Sequence, residues 1–588
     1  MNPDDDLTPA PLEPASPEPG MAPIPVATNW WTPSRRFLIP GAALVVAGTV
    51  AAGALLLVLK PAGSIEKMVP ATVDVYAIAN LDPSASQKLN LLRAVHRFPD
   101  TSTDQKLSQQ LDKALKDTGI SFTGDVQPWL GPQIGVAVSV PSSGSDAPAA
   151  FFAASRDDVK ARAMLTKLQA GSEGKKYNWH DTTYGNVTIT VGSPIAPTSS
   201  GVPRAGVVKP SIASRAAAYT IVDHVVVIAS SEALIREIID ADQGRAARLV
   251  DSTDYKATLA KVPSDRLAMV YLNGKSMVSH LKGQLTTPLA AGLAGIKGLG
   301  DAEAFQGAAL ALSARPEGVV ADMAIRLDAG KLSSSSREAL AHPGNPKAVI
   351  GWIPSSSDGF LAFASLNRTI QSLLDQAGSQ PSTRMATDSI GLTGPQGILP
   401  HLTGDVALEA ALDKSFVPAG AVIIGTDDAD RMRSFLGGIL GLASQGQAGQ
   451  SKAQTATYRG VAITTMALSG ISLQDQFLPA FAVLDGMGVL ASTPAELKAV
   501  IDAHKDKRAI TGDATYAAAA RVSLPDPSGV FYVDLGRIFK AVEAAPVGSP
   551  VNSLHLKTDK NLAPLRGFIV TSASTPDGMV ERFIVLVN

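Results

Sequence analysis

The second half of this chain repeats the first, so the fold must be one that a single supersecondary pattern builds twice. Ala218 to Asp223 leads into Val225 to Ser230 and then a helical run from Glu232 to Ala241. The same order returns as Ala480 to Asp485, Met487 to Ser492 and a run from Ala495 to Ala503. Pro70 and Asp74 meet Pro354 and Asp358, and Trp129-Leu130-Gly131 meets His401-Leu402-Thr403. Val136-Ala137-Val138 meets Val406-Ala407-Leu408, and Phe151-Phe152 with Asp157-Asp158 meets Val422-Ile423 with Asp427-Asp428. Further on, Tyr184 meets Tyr458, Val270 to Asn273 meets Phe531 to Asp534, and Pro316-Glu317-Gly318 meets Pro576-Asp577-Gly578. Chance does not give so many collinear matches. They assign a first copy to residues 60–328, a linker to 329–351 and a second copy to 352–588.

Each copy reads as antiparallel strands with inserted helices. The β-branched runs Tyr219 to Val222 and Val225 to Ala229 flank Asp223-His224, a hairpin signal, and Asp485-Gly486 is the stronger turn at the matching place. Leu234, Ile235, Ile238 and Ile239 lie on one helical face. Thr493-Pro494-Ala495-Glu496 opens the matching helix with a capping threonine, proline at the first helical position and glutamate at the third. Pro576-Asp577-Gly578 joins a last hairpin. Few helices separate consecutive strands, so the expected class is α+β, with two tandemly duplicated, mainly antiparallel sheet domains and not a doubly wound parallel sheet.

The 588 residues are 45% hydrophobic and 18% charged with a formal net charge of −2, values of an ordinary multidomain globular protein. No long basic block occurs, which argues against a nucleic-acid partner. The absence of cysteine removes disulfides, thiol catalysis and an acylated cysteine. Residues 1–36, rich in proline and acidic side chains, read as a disordered cytoplasmic tail. Residues 37–59 run uncharged and long enough to span a bilayer, and their aliphatic and aromatic side chains supply up to about −3 to −6 kcal/mol of insertion energy. Arg35 and Arg36 precede this run, and only Lys60 and Lys67 follow closely. The expectation is a signal anchor: a single-pass cell-membrane protein with a cytoplasmic N-terminus, extracytoplasmic C-terminal domains and the lipid bilayer as partner through 37–59.

Val69-Pro70-Ala71-Thr72-Val73-Asp74-Val75-Tyr76, followed by Asn80-Leu81-Asp82-Pro83-Ser84 and Gln87-Lys88, resembles the opening of a family of membrane-anchored actinobacterial proteins catalogued as a domain of unknown function. The second copy has Ser365-Leu366-Asn367-Arg368 at that place. The resemblance implies association with the cell envelope and carries over no catalytic residue.

Chemical signatures are sparse. None of His96, His180, His224, His280, His342, His401, His504 and His555 has a partner at metal-ligand spacing. His224 matches Gly486 and His401 matches Trp129, so neither place demands imidazole. Ser64-Ile65-Glu66-Lys67 has the Ser-x-x-Lys spacing, but no Lys-Thr-Gly follows, Lys557-Thr558-Asp559 being the nearest approach. Asp157-Asp158 and Asp427-Asp428 read as helix caps, and Asp223 and Asp485 as turn residues. Tyr184/Tyr458, Tyr255/Tyr516 and Tyr271/Tyr532 read as core residues whose hydroxyls reach a partner. No catalytic, cofactor-binding or metal residue is assigned, and no cofactor is expected. The functional expectation is a binding or scaffolding module that engages envelope proteins. The alternatives are a carrier of a lipid or other hydrophobic ligand near the glycine-rich stretch Leu289 to Gly300, and a hydrolase using dispersed side chains.

Overall fold

The computed structural model describes residues 64–98, 109, 111–113, 115, 118–140, 147–172, 174–195, 217–282, 303–377, 381–412, 418–444, 453–466, 478–544 and 562–587. The first copy supplies β1 (Val75–Asn80), β2 (Leu130–Val138), β3 (Ala149–Ser155), β4 (Tyr177–Tyr184), β5 (Val187–Pro194), β6 (Ala217–Val222), β7 (Val225–Ala229), β8 (Ala268–Asn273), β9 (Phe305–Arg315) and β10 (Gly318–Leu327). The second supplies β11 (Gly359–Phe363), β12 (Leu402–Leu412), β13 (Pro418–Thr426), β14 (Ala453–Tyr458), β15 (Val461–Met466), β16 (Ala480–Leu484), β17 (Met487–Ala491), β18 (Gly529–Val533), β19 (Leu565–Thr575) and β20 (Gly578–Val587).

Both copies follow one topology. Neighbouring strands run β4-β5-β6-β7-β3-β2-β1-β8-β9-β10 in the first, all antiparallel. The second runs β14-β15-β16-β17-β13-β12-β11-β18-β19-β20 in the same manner. The last strands then pair with each other, β10 against β20, and join everything into one 20-stranded sheet. The α+β class therefore holds, but the expectation of two separate sheet domains is corrected: the copies are halves of a single sheet. The anchor is corrected as well. Among the described residues no helix is long and apolar enough to cross a membrane, so the single-pass topology and membrane localisation find no support in the fold. The stretch 37–59 itself lies outside the described residues, as does Leu289 to Gly300.

The seam has approximate two-fold symmetry, because each copy presents the same strand to the other. Asp322 faces Arg582, and the register on either side is reciprocal, Gly318 opposite Leu586 and Arg326 opposite Gly578. The Leu327 N–H donates to the Asp577 carbonyl at 2.7 Å, and the Val587 N–H donates to the Glu317 carbonyl at 2.9 Å. Gly318 and Gly578 start the two strands at φ 153° and 145°. A Cβ on Gly318 would lie 2.0 Å from the Val585 carbonyl oxygen, and one on Gly578 1.9 Å from that of Ile325. Glycine is needed here because two backbones touch. At the centre Arg582 Nε donates to Asp322 Oδ1 at 2.6 Å, with Val320 and Ile584 buried beside the pair.

Local chemistry explains the repeated elements. Asp223 and His224, and Asp485 and Gly486, all have positive φ, as a two-residue hairpin turn of the primed type requires. Helix Glu232–Asp242 is capped by Ser231, and helix Pro494–Asp506 by Thr493, each hydroxyl accepting an N–H three residues on. Helices pack on both faces of each sheet half. In the first copy, Ile235, Ile238 and Ile239 pack on Phe152, Val225 and Val227. Ala161, Met164 and Leu165 of helix Asp158–Ala170 pack with Trp129, Ala153 and Val226. Since 152/153 and 225/226 alternate along their strands, the two clusters lie on opposite faces. The second copy does the same with Leu497, Val500 and Ile501 on one face and Met432, Phe435 and Leu436 of helix Ala429–Ser444 on the other. In the 329–351 segment, Ser334–Ala341 and Lys347–Ile350 are helical, and Val349 and Ile350 are buried in the second core.

Candidate functional site

Among the described residues, β12, β13 and β17 bring an open apolar surface and buried acid chemistry onto the same strands. Leu408 pairs with Val422, and Val422 with Leu490, so three aliphatic side chains stand in a row on one face. Leu440 from helix 429–444 and Pro479 wall this row into an open groove of about 370 Å³. The row continues outward through Leu361 to Phe531. Leu408, Leu361 and Phe531 keep 43%, 41% and 38% of their surface exposed, a contiguous apolar strip in the middle of a sheet.

Strand alternation turns Glu409, next to Leu408, to the opposite face. There it lies between Phe360 and Ala421 in the register and is 5% exposed. Ser357, fully buried, donates its hydroxyl to Glu409 Oε2 at 2.8 Å. Glu496, in the first turn of helix 494–506, directs its carboxyl at Glu409. Burial first, then the neighbouring Glu496 charge, push Glu409 up to about 8; burial raises Glu496 also. An Oε1 atom on each carboxyl is buried and accepts no hydrogen bond from a donor. One proton shared between the two groups lets one carboxyl donate to the other, as in other carboxyl pairs too close to ionise together. Glu496 sits where the helix N-terminus favours negative charge, so Glu409 is the better holder of the proton.

The first copy has no such pair. Its strand register puts Ala137 opposite Tyr76 and Ala150, the place that Glu409 takes opposite Phe360 and Ala421. Leu234, third in its helix like Glu496, and Val73, just ahead of Asp74 as Ser357 is ahead of Asp358, complete an apolar trio, each under 10% exposed. Sequence reading missed Glu409, Glu496 and Ser357. The available signal was an acidic residue inside the apolar run Val406 to Leu412, where the other copy has alanine.

The residues singled out from sequence have structural employment. Asp157 and Asp428 cap helices 158–170 and 429–444, accepting N–H groups of Lys160 and Arg431 at 3.1 and 3.0 Å, and both are lowered mainly by those backbone bonds. The shared aspartate is thus Asp157 with Asp428, one residue out of the expected match. Asp158 instead meets His224 at 3.0 Å and Asp427 meets His401 at 2.8 Å. The Tyr184 hydroxyl donates to Asp240 and that of Tyr458 to Asp502, as expected. Tyr255/Tyr271 and Tyr516/Tyr532 make matching edge-to-face pairs, but the Tyr255 and Tyr532 hydroxyls are buried without a hydrogen-bond partner, contrary to expectation. Ser64 begins a 3-10 turn with no side-chain capping bond, and Ile65 and Met68 are buried under the sheet. Among the described residues no group of three or more potential metal ligands occurs.

The opening motif is architectural. Asn80 donates to the Arg266 carbonyl, Asp82 pairs with Lys88, and Ser84 caps helix Ala85–Val95. Gln87 accepts the Ala314 N–H of β9 at 2.7 Å. These bonds staple the helix to the sheet.

No curated protein matches the chain. Among solved structures, crystal form IV of TP0453 is 11% identical, with 46% of this chain and 81% of that chain covered at a TM-score of 0.22. Crystal form III of TP0453 is 11% identical, with 48% and 87% covered at 0.23. Overlap that low carries no argument. A family profile matches residues 39–432 and again 414–584, the second time within the second copy. The chain belongs to that family, described as protein of unknown function (DUF3352).

Proposed function

We propose that the protein is a binding module whose groove on β12, β13 and β17 takes a hydrophobic ligand, a slender chain such as a fatty acyl group. The observation that carries this reading is the aliphatic lining, Leu408, Val422, Leu440, Pro479 and Leu490, at a volume within the usual range for small-ligand sites. The exposed strip through Leu361 and Phe531 supports it by extending the apolar surface beyond the groove. In this reading 60–328 and 352–588 are the two structural units and 329–351 connects them.

Titration of the purified protein with a fluorescent fatty acid tests the idea. Saturable binding is expected, weakened at least tenfold by Leu408→Asp, a change at a position 43% exposed, with the variant's far-UV circular dichroism matching that of the wild type. Absent or unsaturable binding, or binding indifferent to L408D, rejects it.

A further inference from the structure

We infer that the Glu409–Glu496 carboxyl pair is a proton-operated latch on the groove: a shared proton holds the first turn of helix 494–506 to β12, and its loss loosens the groove wall. The inference rests on the groove being the ligand site proposed above.

The coupling is short and made of described contacts. Leu408 and the next residue, Glu409, both belong to the groove lining. On the other side, Leu490, Ala491 and Ser492 line it and run directly into Thr493, the cap of the helix that carries Glu496. Ser492 is bound to Gly420, a further lining residue, through its N–H at 2.9 Å and through its hydroxyl, which accepts the Gly420 N–H at 3.0 Å. The latch thus clamps β12 to the end of β17 across β13, the three strands of the groove floor. With the proton present, the two carboxyls share a hydrogen bond. Without it, two carboxylates face each other at a buried site where Ser357 and the Ala421 backbone are the donors to Glu409, and repulsion drives the helix turn away from β12.

The other charged groups on the packed elements are engaged or in solvent. Asp405 on β12 is bonded to Thr403. Asp358, ahead of β11, accepts the Leu412 N–H at 2.7 Å. On helix 494–506, Lys498 lies over the Tyr458 ring, Asp502 and Asp506 pair with Arg459, and His504 meets Asp485. Lys347, on helix 347–350, is exposed. The charge acting on Glu409 is that of Glu496. Ala137, Leu234 and Val73 in the first copy show that the sheet tolerates an apolar version, so the acids are not required by the fold.

The test uses the full chain, a fluorescent fatty acid, and hydrogen exchange of amides 495–498 corrected for intrinsic rates, at pH 6 and pH 9. In the wild type, affinity is expected to fall roughly tenfold at the higher pH, with a parallel loss of amide protection. In Glu409→Gln, and in the double variant E409A/E496L that installs the first-copy residues, both pH effects are expected to vanish. Unchanged protection in the wild type, or pH effects that persist in both variants, overturn the latch. Equal affinity at the two pH values also overturns it while leaving the groove reading intact. Protection that responds as expected with no probe bound at either pH supports the latch as a contact and refutes the groove as ligand site.

Discussion

Exchanging the charges at the centre of the seam is the sharpest test of how the two copies are joined. Asp322 and Arg582 are 6% and 16% exposed at the side chain and 2.6 Å apart. Asp322→Asn preserves volume and one acceptor oxygen but leaves the buried guanidinium without its counter-charge, the Val522 carbonyl, at 3.0 Å, being its other described partner. Removing one member of a buried pair costs about 3–5 kcal/mol. With a urea slope of about 3 kcal/mol per molar or somewhat more for a chain of this size, the unfolding midpoint should drop by about 1 M. Asp322→Arg should be worse, since two cations then meet on the pseudo-axis. The swap D322R/R582D is the informative variant. Because the two positions are equivalent in their strands, it rebuilds the pair with the roles reversed, and should recover at least about 2 kcal/mol of the loss expected from adding the single changes. Urea unfolding followed by tryptophan fluorescence reads the wild type, D322N, the singles D322R and R582D, and the swap. A swap no more stable than the sum of its singles would refute the two-fold account of the seam.

Two further outcomes follow from the same geometry. Glu409 is raised in the folded state from its ordinary value to about 8, so its contribution to stability is fully present below about pH 4.5 and is lost as pH rises through about 8. At about 1.4 kcal/mol per unit, the loss across that window reaches at most about 5 kcal/mol; E409Q should therefore outlast the wild type in urea at pH 8 and match it near pH 5, and a wild type equally stable at both pH values would contradict the buried pair. Gly578→Ala puts a Cβ 1.9 Å from the Ile325 carbonyl oxygen and should lower the melting temperature by several degrees, as should Gly318→Ala; calorimetry showing no change in either would mean the strands do not meet as described.

What was legible in the sequence was local. Hairpin turns at Asp223-His224 and Asp485-Gly486, the helix after Ser231 and the Thr493 cap each rest on a few neighbouring residues, and each is present in the structure. Register was harder. Val136 and Val406 are matched from sequence, yet the structure pairs Ile134 with Ala153 where it pairs Val406 with Ile424, so the true match is Ile134 with Val406. A shift of two leaves an alternating pattern unchanged, and hydrophobicity alone cannot detect it. The acid pair was hidden differently. Glutamate at the third position of a helix that follows threonine already has an explanation as a capping box, and only the fold shows its carboxyl turned toward Glu409. The seam joins residues far apart in the chain, and no local pattern announces which edge strand accepts which.

That seam also sets a schedule for synthesis. β10 ends at Leu327 and its partner β20 begins at Gly578, so about 250 residues must leave the ribosome before the ladder can close. At about 5–20 residues per second the first half waits roughly 10–50 s with an unfinished margin. An inward-pointing Asp322 makes that margin a poor template for any strand lacking a matching cation, and so guards the nascent chain against sticking to its neighbours.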